Sequence, residues 1–341
     1  MSYCLSCTSI PHAYCTTSAA GWWRISHKSP GPCIKLSHCG INWRFLRGLL
    51  KDCLILCYNE LGELIWVLKK YAVPLVIWLL FAAIAVGLWL ALENVFYLFN
   101  FLYIGTGLAV GMALYAQGKK WARNAVQWVV GLYLFVYLGV FGQENMQIEG
   151  FWYYLFLGVF EAATIHYAVA KIFGPLVFGR GFCGYACWTA MVLDLLPFKA
   201  QTGPRRRWGV VRYIAFAASL IFVAALFLLG AQGLAQIMWY AFLAGNLLYY
   251  GVGVALAFAL RDNRAFCKYV CPVAVFLRPA SRFALLRVRV DEGACVSCGK
   301  CRRLCPMGLD ISDPACRREN AADCILCLRC VEECPQKALK F

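Results

Sequence analysis

Apolar residues fall along this chain in long unbroken runs rather than at the period of an amphipathic helix or a half-buried strand. Six runs lie near residues 74–92, 96–117, 125–142, 152–173, 210–230 and 236–260. Each is long enough, at 1.5 Å per residue, to cross a hydrocarbon layer of about 30 Å. Pro74 fits the first turn of the first run, where its missing N–H costs little. In the second, Gly107 and Gly111 are spaced to let helices approach closely. Residues 1–44 show no period and are expected to be an irregular segment, disordered or a misassigned start. Residues 45–73 are apolar with charges every few positions, which predicts a helix lying on the membrane surface. The pair Cys53 and Cys57 on it, like Cys4 and Cys7 before it, has nothing to complete a metal site.

Charge sorts the connections between runs. Lys69 and Lys70, then Lys119, Lys120 and Arg123, then Lys171, Arg180, Lys199, Arg205 to Arg207 and Arg212, then Arg261, Arg264 and Lys268 fall on alternate connections. The other connections hold Glu93, Glu144 and Glu149, and no Lys or Arg. The positive-inside rule then places both termini in the cytoplasm, in a multi-pass protein of the plasma membrane. A net charge of +16 would otherwise suggest nucleic acid, but its placement beside apolar spans excludes that partner and points to the lipid bilayer. The bulk composition, 62% hydrophobic and 15% charged, agrees. Two ionisable residues, Glu161 and His166, fall inside the fourth run, where such groups are candidates for proton or quinone contact.

Twenty cysteines are too many for an ordinary membrane protein, and six spans with no cleavable signal sequence argue against secreted disulfides. Cys295, Cys298, Cys301 and Cys305-Pro306 form one C-x2-C-x2-C-x3-C-P motif; Cys324, Cys327, Cys330 and Cys334-Pro335 form a second. In this spacing three thiolates on a tight loop take three corners of a cubane and the fourth reaches the other cluster. One [4Fe-4S] cluster would use Cys295, Cys298, Cys301 and Cys334, and the other Cys324, Cys327, Cys330 and Cys305. Cys316 fits neither set. So short a domain has little core without its metal, so residues 288–341 should unfold when iron is lost.

A second repeat lies upstream. Arg180-Gly-Phe182-Cys183-Gly-Tyr185-Ala-Cys187-Trp188-Thr-Ala190 aligns with Arg264-Ala-Phe266-Cys267-Lys-Tyr269-Val-Cys271-Pro272-Val-Ala274. Each copy follows a pair of spans, so residues 74–287 read as duplicated hairpins. Cys183, Cys187, Cys267 and Cys271 suit a third iron–sulfur cluster, redox-active dithiols, or plain packing at the interface. The fold class expected is an α-helical integral membrane protein of about six transmembrane helices, with a C-terminal α+β two-cluster ferredoxin domain.

Paired Cys-x3-Cys loops after membrane helices, followed by two ferredoxin motifs, resemble the NapH-type polyferredoxin membrane proteins over roughly residues 120–341. Trp188, where the family has proline, is a departure that bears on whether the two loops share one geometry. The resemblance implies an electron-transfer subunit of a quinol-linked oxidoreductase, with quinone as substrate. It would exchange electrons between the quinone pool and a redox partner, an acidic one given the basic face of the chain. Two other readings stay open: an accessory reductase in metalloenzyme maturation or metal reduction, and a redox-sensing membrane regulator.

Overall fold

A computed structural model describes residues 15–17, 22–25, 34–35, 71–199, 208–313, 320 and 322–341. They fall in two units, Met1–Lys69 and Lys70–Phe341. In the first, β1 (Cys15–Thr17), β2 (Trp22–Ile25) and β3 (Ile34–Lys35) form an antiparallel sheet in that order, with Cys15 opposite Ile25 and Trp23 opposite Ile34. Most of the expected surface helix, both N-terminal cysteine pairs, Arg205 to Arg207 and Cys316 lie outside the described residues.

The second unit is built on five apolar helices long enough to span a membrane. These are α1 (Tyr71–Leu92), α2 (Val95–Ala116), α3 (Ala122–Leu132, continued as a π-helical stretch Tyr133–Phe141), α9 (Val211–Leu228, after a 3₁₀ turn) and α10 (Leu234–Leu260). Their outward faces expose large apolar side chains such as Phe99, Phe141, Leu228 and Leu247, which only lipid can cover. Asn94 caps α2 by accepting from the Phe96 amide at 2.9 Å. A side chain at Gly111 would collide with Val126 of α3, so this glycine is what lets α2 and α3 pack closely.

The fourth predicted span is not one helix. α4 (Ile148–Leu157) stops at Gly158, whose left-handed φ of 70° breaks the run. The chain restarts as α5 (Ala162–Tyr167), passes through a π-helical stretch (Ala168–Phe173) and ends in α6 (Gly174–Phe178). Hydropathy is uniform across the break, so composition alone could not reveal it. Two site residues move as a result. Glu161 is the exposed N-cap position of α5, at the break rather than in mid-helix, and Lys171 is buried inside the helix rather than in a connection. Before α4, residues 143–147 fold inward. Asn145 donates to the Met238 carbonyl of α10 at 2.9 Å, and a side chain at Gly245 of α10 would strike Gln147.

The short helices α7 (Gly181–Tyr185) and α8 (Trp188–Leu193) follow α6; α11 (Ala265–Tyr269) and α12 (Ala274–Ser281) follow α10. The C-terminal region then forms β4 (Arg289–Val290), α13 (Lys300–Leu304), α14 (Arg329–Glu332) and β5 (Leu339–Lys340). β4 and β5 pair antiparallel, Val290 opposite Leu339, so the chain end closes the domain on its start.

Candidate functional site

The two C-terminal motifs fold as matched loops. Ser297 and Leu326, each two residues past the first cysteine, have φ of 51° and 53°. Gly299 and Leu328, one past the second cysteine, have 68° and 57°; Gly308 and Lys337, three past the fourth, have 66° and 49°. Side chains in this region cost about 1–3 kcal/mol each. Turning the chain this way directs successive amides into one concavity, a shape that receives anions and iron–sulfur centres. Cys295, Cys298 and Cys301 share the walls of one small cavity with Cys334 of the other motif. Cys324, Cys327 and Cys330 lie with Cys305 in one apolar cluster. Burial, then the neighbouring Cys327, pushes the Cys324 thiol up to about 12, and the same two causes raise Cys305 and Cys330. Thiols raised in this way become thiolates beside a compensating cation, as in metal ligation. The residues fit the group.

The upstream pairs also converge. Cys183, Cys187, Cys267 and Cys271 all line one cavity between the ends of α6 and α10. Their loops are superimposable in hydrogen bonding. Ala186 and Cys187 both donate to the Phe182 carbonyl (2.9 and 3.0 Å), and Val270 and Cys271 both donate to the Phe266 carbonyl (2.9 Å each). Trp188 therefore does not alter the loop. It occupies the first helical position of α8, as a proline could, and its indole reaches Asn246 of α10 at 2.7 Å.

The loops are also clasped to each other. Arg180 donates to the Cys267 carbonyl (3.2 Å) and Arg264 to the Cys183 carbonyl (3.1 Å), an exchange between equivalent positions of the repeat. Each guanidinium is fully buried and anchored on a carboxylate: Arg180 on Asp323 at 2.7 Å, Arg264 on Asp194 at 2.5 Å. Arg123 shares Asp194 and Arg278 shares Asp323. Burial opposes ionisation of Asp194, but Arg264 and Arg123 outweigh it and hold the carboxyl below its usual range. Lys171 also lines the cavity, its ammonium on the Met146 carbonyl and over the Tyr167 ring. Cations thus gather around four thiols, a setting suited to an anionic group such as a thiolate-ligated cluster. Burial, then Cys267 and Cys183, pushes Cys271 up to about 12. The twelve cysteines of these sets are free thiols.

The C-terminal domain seats its second motif on these loops. Tyr185 donates to the Leu326 carbonyl at 3.1 Å, and a side chain at Gly184 would collide with the Ile325 carbonyl oxygen. Cys183 belongs to the same apolar cluster as Cys305 and Cys330. The exposed rim is the first motif, where Cys298 and Val296 face solvent among Lys300, Arg302 and Arg303.

An apolar cavity of about 70 Å³ lies beside this junction, between α1, α2, α3 and α5–α6. Phe81, Phe101, Leu134 and Val169 line it, and it reaches Phe182 and Leu326, next to Cys183 and between Cys324 and Cys327. His166 is buried in its wall, and the imidazole Nε2 has no hydrogen-bond partner among the described residues. Glu161 is not in this cavity. It lines a second, polar one with Glu144 and His166. The sequence singled out the cysteines and His166 but read Arg180 and Arg264 only as positive loop charge; their recurrence three residues before Cys183 and Cys267 was the available signal.

Residues 287–336 match a family of 4Fe-4S dicluster domains, and a family described as 4Fe-4S binding domain matches twice, at 166–200 and 244–290. The second match falls on both copies of the Cys-x3-Cys repeat. The chain is 29% identical over 205 residues to the uncharacterized protein MJ0749 of Methanocaldococcus jannaschii, covering 58% of this chain and 78% of that one. It is 24% identical over 194 residues to the ferredoxin-type protein NapH of Haemophilus influenzae (51% and 66%). It is 28% identical over 166 residues to the methylamine utilization ferredoxin-type protein MauN of Methylobacillus flagellatus (45% and 58%). The chain thus spans somewhat under two thirds of these two ferredoxin-type relatives. No solved structure matches the chain.

Proposed function

From the premise that this chain belongs to the NapH-type family of ferredoxin-type, iron–sulfur membrane proteins, we propose that it passes electrons between the quinone pool and a redox partner protein. The observation that carries this reading is the apolar cavity. It has the apolar lining of a small-molecule site and ends on residues adjacent to cluster-type cysteines. When bound, [4Fe-4S] groups supply one-electron carriers; the chain has no flavin or nucleotide motif to take a hydride. Cys295, Cys298, Cys301 and Cys334 would hold one, and Cys324, Cys327, Cys330 and Cys305 the second. Cys183, Cys187, Cys267 and Cys271 would hold a third. The burial of Cys183 and Cys267 keeps them from the reach of a protein substrate, which favours a cluster over exchangeable dithiols. The basic rim around Cys298 suits docking of an acidic partner. By loop charge this domain faces the cytoplasm and the protein resides in the plasma membrane.

The test is anaerobic. In membranes or detergent, a quinol should reduce the clusters and a quinone reoxidise them. A substitution that fills the cavity, Val169→Phe, should slow both while leaving iron content unchanged. If neither quinone state alters cluster oxidation, the accessory-reductase reading takes its place.

A further inference from the structure

We propose that His166 and the polar cavity beside it form a proton pathway from the apolar cavity to the membrane face opposite the ferredoxin domain. A quinol's protons and electrons would then leave on opposite sides. The proposal rests on the quinone reading above and adds the route and side of proton exchange.

The two cavities are separated by very little. Phe101 and His166 are in the walls of both, and they are the only two residues shared. On the apolar side, the one other polar side chain is Tyr185, whose hydroxyl is spent on the Leu326 carbonyl. Among the described residues, the imidazole Nε2 is therefore the one side-chain polar atom in that wall without a hydrogen-bond partner. Its ring packs edge-on against Phe182 and Tyr167, which carry no charge, and Lys171, five residues on, is turned to the Met146 carbonyl.

The second cavity is of another kind. Asn94, Asn100, Tyr137, Glu144 and Glu161 line it, with no Lys or Arg. Its volume of about 440 Å³ has room for a file of waters, each taking roughly 30 Å³ in the liquid. Glu161 is exposed at its mouth, and Glu144 is held at 2.6 Å by the Tyr154 hydroxyl. Asn94 lies in the α1–α2 turn and Glu144 just past the end of α3. These ends are opposite to Lys120, which pairs with Glu333, and to Gly184, which touches Ile325. The cavity thus opens away from the ferredoxin domain, which alone carries the route for electrons.

The balance closes. Oxidising one quinol to a quinone breaks two O–H bonds. Two electrons leave one at a time to oxidised iron–sulfur centres on the ferredoxin side. Each proton passes to His166 Nε2 and on, through water, to Glu144 and Glu161. Quinone reduction runs the same route backwards.

The full chain with its clusters, in liposomes, is given a quinol, with ferricyanide on the ferredoxin side as electron acceptor and a pH dye on each side. Two protons per quinol should appear on the opposite face. The double variant Glu144→Gln with Glu161→Gln should slow their release by about tenfold or more, and His166→Gln by about a hundredfold, the scale of a lost acid–base group. Both should retain iron and affinity for a redox-inert quinone analogue. Without any substrate, Asn100→Cys should be modified by a charged thiol reagent added on the opposite face and not on the ferredoxin face, as located by peptide mapping. Protons on the ferredoxin side, an unslowed double variant, or no modification at position 100 would each overturn the pathway. If the unsubstituted protein binds no analogue and its clusters do not respond to quinol, the quinone reading itself fails and the pathway falls with it.

Discussion

The protein assembles cysteine sets by two opposite strategies. In residues 288–341 the ligand sets come from contiguous motifs, the secondary structure is a pair of two-residue strands and short helices, and much of the enclosed interior is sulfur. In the paired loops the cysteines come from segments 84 residues apart, and the surrounding protein is dense: two buried arginines cross between the loops, and two aspartates hold them. One region depends on what it binds to hold its shape. The other is shaped by the membrane bundle together with buried ion pairs, one of them reaching Asp323 of the C-terminal region.

Removing the iron should expose this difference most strongly. Anaerobic chelation is expected to unfold residues 288–341, with a loss on the order of 10 kcal/mol, the scale of structural metal sites. The helical bundle should persist. Limited proteolysis would cut after Arg287 and spare α9 and α10; equal digestion of both regions would erase the distinction.

Next is the loop site itself. Cys183→Ser with Cys267→Ser in the full chain should lower bound iron from about twelve to about eight per chain, since each cubane carries four. Iron already at about eight before substitution would mean the loops bind none.

Arg180→Met removes a buried partner of Asp323, which Arg278 also contacts, and unclasps one loop. A broken buried pair costs about 3–5 kcal/mol, read as a lower melting temperature with the C-terminal domain released first. Gly184→Ala is a finer probe. Its methyl group meets a carbonyl oxygen, so a strain of about 1–3 kcal/mol should lift the domain from the loop. Iron should stay bound while electron exchange between the sets slows.

The smallest effect is a pH dependence. Asp194 has a depressed carboxyl in the folded protein, so its contribution is present above the unfolded value of about 3.9 and is lost as pH falls through the lower folded value. The stability gap between the native chain and Asp194→Asn should be flat from about pH 8 to 5 and close only below about pH 4. A gap that closes near neutrality would assign the clasp to some other group.

What could be read from the sequence follows the same division. Ligand spacing in a contiguous motif is a local property, so the two motifs from Cys295 to Cys334 could be read directly, and that stretch matches a 4Fe-4S dicluster domain. The equivalence of Cys183 with Cys267 was legible because a repeat is visible without knowing its fold. The break at Gly158 was hidden because Phe151 to Phe160 is apolar on either reading, and Glu161 was expected in mid-helix as a consequence. Arg180, Arg264 and Lys171 were read as solvated charge since pairing across 143 or 70 residues leaves no local trace. Trp188 was read as a warning about geometry; it marks a side-chain contact to Asn246 on an unchanged backbone.

The link between Arg180 and Asp323 also imposes an order on biogenesis. The chain is threaded into the bilayer as it leaves the ribosome, and Arg180 emerges 143 residues before the carboxylate that neutralises it. Until nearly the whole polypeptide has been translated, that guanidinium has no permanent anchor, and the clasp onto the Cys267 loop stays incomplete. The loop cysteines thus reach their final arrangement after the last helix is inserted and the tail has folded back. Any metal these cysteines take would therefore be delivered after translation, and a nascent chain stalled before position 323 would offer nothing finished to fill.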